Sequence, residues 1–341
     1  MSGQKTNYRS MLWNGMKVVV VAAPIMLPVL VINGLVFGWL DHKVGSLMEM
    51  FEANPESAGT LAGVSGAVSL ALLLYFALQL PKRKTASWAS WVPLLLLPSA
   101  LIFWGTTTMF PQLMQTKQEL VVSLGLRLPL ELAWMCTVGG VVYGLWVLLS
   151  DEYFEHGTLR GASAIRRLRE AGIGFIAPHG GSTLLIYVGM QAVLPGLYYA
   201  ILYAFVTHAA LLRPNTGVFA ESTRVSRLIR RDVIRVYVFT IVPAFFMRFV
   251  VMYYAEKWLT QLGFVNALVT DTGAFDSGKA LGNIGAMLVG APWPGSFYSE
   301  SISLAVMGLF IGVSASALTW GFRQFPPAPS ASSNDDSSAE S

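Results

Sequence analysis

The sequence predicts an all-α protein: a polytopic bundle of about eight transmembrane helices, seven in the alternative count, with both termini in the cytosol. Three observations predict it. The chain of 341 residues is 54% hydrophobic and only 12% charged, about half the charge of a typical soluble domain. Its apolar residues gather in continuous runs near 20 residues, the length that crosses a hydrocarbon core of about 30 Å. Unbroken runs of this kind form helices, whereas barrel strands alternate polar and apolar residues. The third observation is charge placement. Ten arginines lie in 160–169 and 213–235, and the 43 residues between hold no Lys or Arg. Basic clusters beside apolar runs mark the cytosolic ends of spans.

The elements follow in order. Residues 1–17 form a cytosolic segment carrying Lys5, Arg9 and Lys17. The run Val18–Leu40 exceeds the apolar core of a signal peptide, and no small-x-small cleavage site precedes Asp41. It is expected to be a retained first span. Spans at 60–80, 88–110 and 128–149 follow. Gly59-x-x-x-Gly63 and Gly140-x-x-x-Gly144 would let two helices approach closely. The outer segment 41–59 is acidic, with Asp41, Glu49, Glu52 and Glu56.

Residues 175–194 and 197–212 form a fifth and a sixth span, or a single kinked helix covers 183–212. Leu194-Pro195-Gly196 suits a turn between two spans. Charge favours the turn. With it, segments 1–17, 81–87, 150–174, 213–235 and 323–341 share one side and hold 17 Lys and Arg, against five on the other side. A single helix would place the six arginines of 213–235 outside. Spans at 236–254 and 301–322 complete the bundle, which occupies 18–322. The outer loop 255–300 carries Trp258, Leu262, Val265 and Val269 at helical spacing. The tail 323–341 is rich in Pro, Ser and Asp and is expected to be disordered. Pro24, Pro28, Pro93, Pro98 and Pro243 mark expected kinks.

Residues 220–236 hold the sharpest local pattern. Val225, Leu228, Ile229, Val233 and Val236 share one helical face, and Arg224, Arg227, Arg231 and Arg235 recur at i, i+3, i+7 and i+11 on another. Such a helix lies in the headgroup layer, where each arginine near anionic lipid contributes about 1 kcal/mol. Arg166 and Arg167 suggest a second basic surface. Both are candidates for binding anionic lipid or a protein partner, beside the reading in which they only fix topology. Arg248 is the one strongly basic residue deep in a span. An unpaired charge there is costly, so a structural pair with Glu131 or Glu300 is expected ahead of an ion pathway.

His156, in Asp151-Glu152-Tyr153-Phe154-Glu155-His156, reads as a wet helix end ahead of a metal or proton site. His179 and His208 have no metal or haem spacing. The single cysteine, Cys136, excludes a disulfide framework or a multi-cysteine metal site within one chain. No metal, no cofactor and no nucleic-acid partner is expected. No phosphate-binding loop, dinucleotide fingerprint, nucleophile elbow or zinc-protease motif occurs.

Leu194-Pro195-Gly196, the apolar run through Tyr198, Tyr199, Ala204 and Phe205, then Glu221-Ser222 and the basic stretch Arg224–Arg235 resemble the membrane-domain family found with bacterial glycerophosphodiester phosphodiesterases. The resemblance covers residues 190–250. It implies the hairpin and a bacterial plasma membrane, and it carries over no catalytic residue, since the chain has no phosphodiesterase domain. The expected function is a non-enzymatic inner-membrane scaffold or assembly component of a larger envelope complex, for instance a secretion or transfer machine, with anionic lipids and other proteins as partners. The alternatives are a transporter or channel for a small solute or lipid, and an intramembrane enzyme acting on lipid through His156 or His179.

Overall fold

A computed structural model describes residues 7–53, 71, 132–190, 194–261 and 297–327. Among these the chain is all helical. In chain order the helices are α1 (Tyr8–Ala53), α2 (Gly140–His156, continued backwards through one π-helical turn at Met135–Gly139), α3 (Ala162–Ala171), α4 (Ile173–Met190), α5 (Leu194–Leu202), α6 (Val206–Leu212), α7 (Val218–Leu228), α8 (Arg230–Gln261) and α9 (Phe297–Arg323). Among the described residues four helical stretches are long and apolar enough to cross a membrane: Tyr8–Gly38, Leu132–His156, Arg230–Ala255 and Ser301–Arg323. The expected spans at 60–80 and 88–110 lie outside the described residues, apart from residue 71, as do Gly59-x-x-x-Gly63, Pro93 and Pro98.

Several helices run further than the apolar runs that announce them. α1 continues past Leu40 through the acidic 41–53 stretch, and Pro24 and Pro28 lie inside it. α8 continues to Gln261 with Pro243 inside. Backbone bonding does not stop where hydrophobicity does, so helix ends and membrane boundaries differ. Trp258 is exposed near the end of α8; the rest of its expected apolar stripe, from Leu262 on, lies outside the described residues.

α9 is the centre of the bundle. It packs along α1 and α8 and against α2. Its sequence explains why. Gly308, Gly312, Ser314, Ala315, Ser316, Ala317 and Gly321 keep its surface thin, so neighbouring helices come close, as small residues permit in lipid. A Cβ on Gly312 would lie 2.5–2.9 Å from the Trp146 ring of α2. One on Gly308 would strike Leu30 of α1. In return Gly15 of α1 sits 2.7 Å from the Val313 carbonyl, and Gly34 sits 2.6 Å from that of Ser301, measured from the same hypothetical carbon. These pairs run oppositely in α1 and α9, so the two are antiparallel. Trp146 with Gly312, and Ser150 with Ser316, run in the same sense, so α2 and α9 are parallel.

Hydroxyls in these apolar helices find partners at close range. Ser301 Oγ donates to the Gly34 carbonyl across the α1–α9 contact (3.1 Å). The Ser316 hydroxyl meets Ser150 Oγ at 2.7 Å, and Ser150 donates to its own helix at Trp146. Thr319 and Thr240 donate to the carbonyls of Ala315 and Val236 within their own helices (2.8 Å each).

α4 packs on α5 and α6, so the chain doubles back. Leu185 meets Tyr199, Leu202, Tyr203 and Val206, and His179 meets Thr207 at 2.7 Å. The contacts exclude one helix over 183–212. They also correct the turn. Leu194-Pro195-Gly196 is the first turn of α5, where proline's fixed φ and missing N–H cost nothing, and α4 has already ended at Met190. The returning limb is broken at 203–205 into α5 and α6. Gly140 and Gly144 do mediate a close contact: a Cβ on Gly140 would lie 2.7 Å from His179, and one on Gly144 3.0 Å from Phe175, both in α4.

The tight α2–α9 contact is testable. Gly312→Ala is expected to destabilise the protein by about 1–3 kcal/mol, the usual cost of overpacking, read as a lower melting temperature in detergent. Combining it with Trp146→Leu should remove most of that extra cost, because the two residues touch.

Candidate functional site

The charged residues at one end of the bundle are organised by two acids. Asp151 ends the apolar part of α2. Its carboxylate binds Arg167 of α3 at 2.8 Å and the guanidinium of Arg323, the last residue of α9. Glu221 lies in the first turn of α7, with its side chain 1% exposed. It binds Arg224 through two bonds of 2.8 Å, and also Arg213 from the loop after α6. Hydrogen bonding from Arg224, ahead of that from Arg213, holds the Glu221 carboxyl below its ordinary value of 4.5.

Both clusters also hold the end of α9. The Arg213 guanidinium lies 4.1 Å over the Phe322 ring. It donates to the carbonyls of Phe322 (3.3 Å) and Phe325. Carbonyls at a helix C-terminus lack intrahelical donors, and a cation there satisfies them and favours the dipole. Arg224 adds a bond of 2.6 Å to the Pro326 carbonyl. Glu152, beside Asp151, accepts the backbone N–H groups of Arg160 (3.1 Å) and Gly161 (3.3 Å) and so closes the 157–161 loop. Gly157 ends α2 at φ 71°, where its N–H reaches the Tyr153 carbonyl; the left-handed region suits glycine.

The start of α1 joins the same end. Arg235 lies 5.0 Å over the Tyr8 ring, which stacks on Phe239 of α8. Segments 7–17, 150–174, 213–235 and 323–327 are therefore neighbours. These are four of the five segments that charge counting assigns to one side; the fifth, 81–87, lies outside the described residues.

The expected amphipathic helix over 220–236 is interrupted. α7 ends at Leu228 and α8 starts at Arg230. Val225, Ile229, Val233 and Val236 are buried as the apolar face requires, but Leu228 is 58% exposed. The buried face nevertheless continues across the break, from Val225 and Ile229 to Val233 and Val236. Of the six arginines expected to meet lipid or a partner, Arg224 and Arg167 turn inward to Glu221 and Asp151. Arg166, Arg227, Arg231 and Arg235 face outward; Arg166 pairs loosely with Glu170 and Arg235 with Asp232, each at 3.8 Å.

Ser222 explains the broken limb. Its hydroxyl donates to the Leu202 carbonyl (3.1 Å) and accepts the Phe205 N–H (3.2 Å). One side chain thus repairs two backbone groups freed by the break between α5 and α6, as buried backbone requires. A groove of about 880 Å³ lies beside this joint, between α5 and α7. Tyr198 and Tyr203 line one wall; Gly217 to Ala220, Thr223, Arg224, Arg227 and Leu228 line the other. Tyr203 stacks on Tyr199 and meets the edge of Phe219 at 5.5 Å.

Comparison of the chain with protein families, curated proteins and solved structures finds no match.

The remaining candidates are placed as follows. Arg248 is buried in α8 (7% exposed); Glu131 and the side chain of Glu300 lie outside the described residues. His156 is exposed at the end of α2. His179 and His208 flank Tyr143, each 5.9 Å from its ring. His208 Nε2 bonds the Ala315 carbonyl (3.2 Å), which makes that nitrogen the donor. His179 bonds Thr207 at Nδ1 and Thr183 at Nε2. Among the described residues no group of three His, Cys, Asp or Glu side chains could hold a metal ion. Sequence reasoning missed Asp151, Glu152, Glu221, Arg213 and Arg323 as the residues that organise this end. For Glu221 a signal was there: it is one of two acids beside six arginines in 213–235, whereas 150–174 holds four acids and four arginines and singles out neither Asp151 nor Glu152.

Glu221→Gln removes the anion between two guanidiniums and is expected to cost about 3 kcal/mol, the low end for breaking a buried ion pair. A carboxyl held below its ordinary value stabilises the fold fully above that value, and the contribution is lost as pH falls through the lowered one. The melting temperature of wild type minus that of Glu221→Gln should therefore be constant from neutral pH down to 4.5 and shrink below it.

Proposed function

We propose that the chain is a non-enzymatic, multi-pass protein of a bacterial inner membrane, with eight spans and both ends in the cytosol, that serves as a scaffold or assembly component of a larger envelope complex. The observation that carries this reading is the basic end itself. Asp151 clamps arginines of two segments, Arg167 and Arg323, and Glu221 clamps Arg213 and Arg224 within 213–235, which makes a fixed platform of this end. The outward arginines, Arg166, Arg227, Arg231 and Arg235, then stand on rigid supports, as a recognition surface needs. The positive-inside rule puts this platform in the cytosol. Exposed apolar residues on α1 (Val20, Ile32) and α8 (Phe239, Phe246, Tyr254) offer faces to lipid or to neighbouring spans. The use of Glu221 and Ser222 as structural pins also suits the resemblance to the phosphodiesterase-associated membrane domains, from which no catalytic residue carries over.

A photo-cross-linker at Leu228 or Arg231 is expected to give one dominant protein adduct in native membranes. The same group at Val31, on the flank of α1, should give none of that adduct, and Arg231→Glu with Arg235→Glu should abolish the adduct formed from Leu228. Only uncross-linked protein at both platform positions would contradict the scaffold reading.

A second reading, a transporter or channel, rests on Arg248, a buried cation five residues beyond Pro243 in α8. On the scaffold reading Arg248→Met leaves complex assembly intact once the protein folds; loss of solute flux in reconstituted vesicles would favour transport instead.

A further inference from the structure

We propose that the groove between α5 and α7 binds the headgroup and glycerol region of an anionic phospholipid of the cytosolic leaflet, such as phosphatidylglycerol. The inference rests on the cytosolic placement of the basic end and gives one of its surfaces a ligand.

Charge is the first argument. Glu221 supplies one negative charge between Arg213 and Arg224, so that cluster keeps one positive charge. Arg227, one turn further along α7, is exposed and has no acidic partner among the described residues. Arg224 and Arg227 line the groove with Thr223; the charge of Arg227 is uncompensated among the described residues, and the cluster behind Arg224 adds a further net positive charge. A phosphate diester, with one negative charge and several acceptor oxygens, suits guanidinium forks.

Shape separates a lipid from a free anion. A volume of about 880 Å³ is that of a site for a molecule of drug size, far more than one phosphate fills. The lining is also aromatic: Tyr198 is 46% exposed, and the buried Tyr203 lies beside it. Leu228, 58% exposed, extends the apolar surface at the rim. An apolar body with a polar tip is what tyrosine offers at a membrane interface, where headgroup meets acyl chain. The groove therefore presents charge to the phosphate and apolar surface to the glycerol and first methylenes. Ser222 of α7 bonds the Leu202 carbonyl and the Phe205 N–H, which fixes α7 against the α5–α6 joint beside the groove.

The test uses full-length protein in a zwitterionic detergent, titrated with phosphatidylglycerol or phosphatidylethanolamine of equal chain length and read by native mass spectrometry. Phosphatidylglycerol should bind preferentially. Arg227→Gln should weaken it about fivefold, the effect of one basic residue at an anionic surface, and leave phosphatidylethanolamine unchanged. Ala220→Phe, which fills the groove but keeps both arginines, should abolish the preference. Arg166→Gln, on a different basic surface, should leave it intact. Equal binding of the two lipids, or an equal loss in Arg166→Gln and Arg227→Gln, would overturn the assignment. So would displacement of the lipid by millimolar inorganic phosphate, which would make the site one for a free anion. These readouts need no protein partner, so failure of the scaffold reading and failure of the lipid site remain distinguishable.

Discussion

A buried carboxylate between two guanidiniums fixes the basic end of this protein. Asp151 receives Arg167 and Arg323 from separate parts of the chain, and Glu221 receives Arg213 and Arg224 from its own segment. Exposed ion pairs contribute little, commonly below about 1 kcal/mol. These differ in setting: the Glu221 side chain is 1% exposed and that of Asp151 9%. Removing one partner from such a site strands a charge in apolar surroundings, which is why the arrangement constrains structure more than its net stabilisation suggests. The end of α9, the loop after α6, α3 and α7 cannot separate without breaking one of the two clusters.

The clusters gain their effect from α9. Its small residues let α1, α2 and α8 approach closely, and helix association in lipid depends on such packing more than on hydrophobicity. The last turn of α9 therefore arrives at a set position relative to α2 and α8, and Phe322, Arg323 and Phe325 meet Arg213 and Asp151 there. Packing within the bundle and charge at its end are two parts of one design. The groove beside Ser222 lies where these parts join, so its basic and aromatic walls are held by the same constraints.

Much of the fold was legible in the sequence because the signals were long-range sums. Apolar runs announced α1, α2, α8 and α9, and the arginine clusters announced which loops share an end. The hairpin was legible for the same reason: the six arginines of 213–235 had to stay with those of 160–169. Finer features depended on contacts that no run of residues records. The helix over 220–236 is interrupted at Ile229, and Leu228, expected on the apolar face, is exposed. Arg224 and Arg167 looked like surface charges because their acids, Glu221 and Asp151, meet them only once the chain is folded back. Gly308-x-x-x-Gly312 in the last span has the same spacing as Gly140-x-x-x-Gly144, and only the nearness of Leu30 and Trp146 shows that it shapes the core.

The central claim is that the loop after α6 faces the cytosol together with the N-terminal segment. Single cysteines at Asn215 and Arg9, both exposed, test it most directly, since the native Cys136 is buried. The account predicts that an impermeant thiol reagent leaves both unlabelled in intact cells and labels both in inverted membrane vesicles. Labelling at Asn215 in intact cells, with Arg9 still protected, would contradict it.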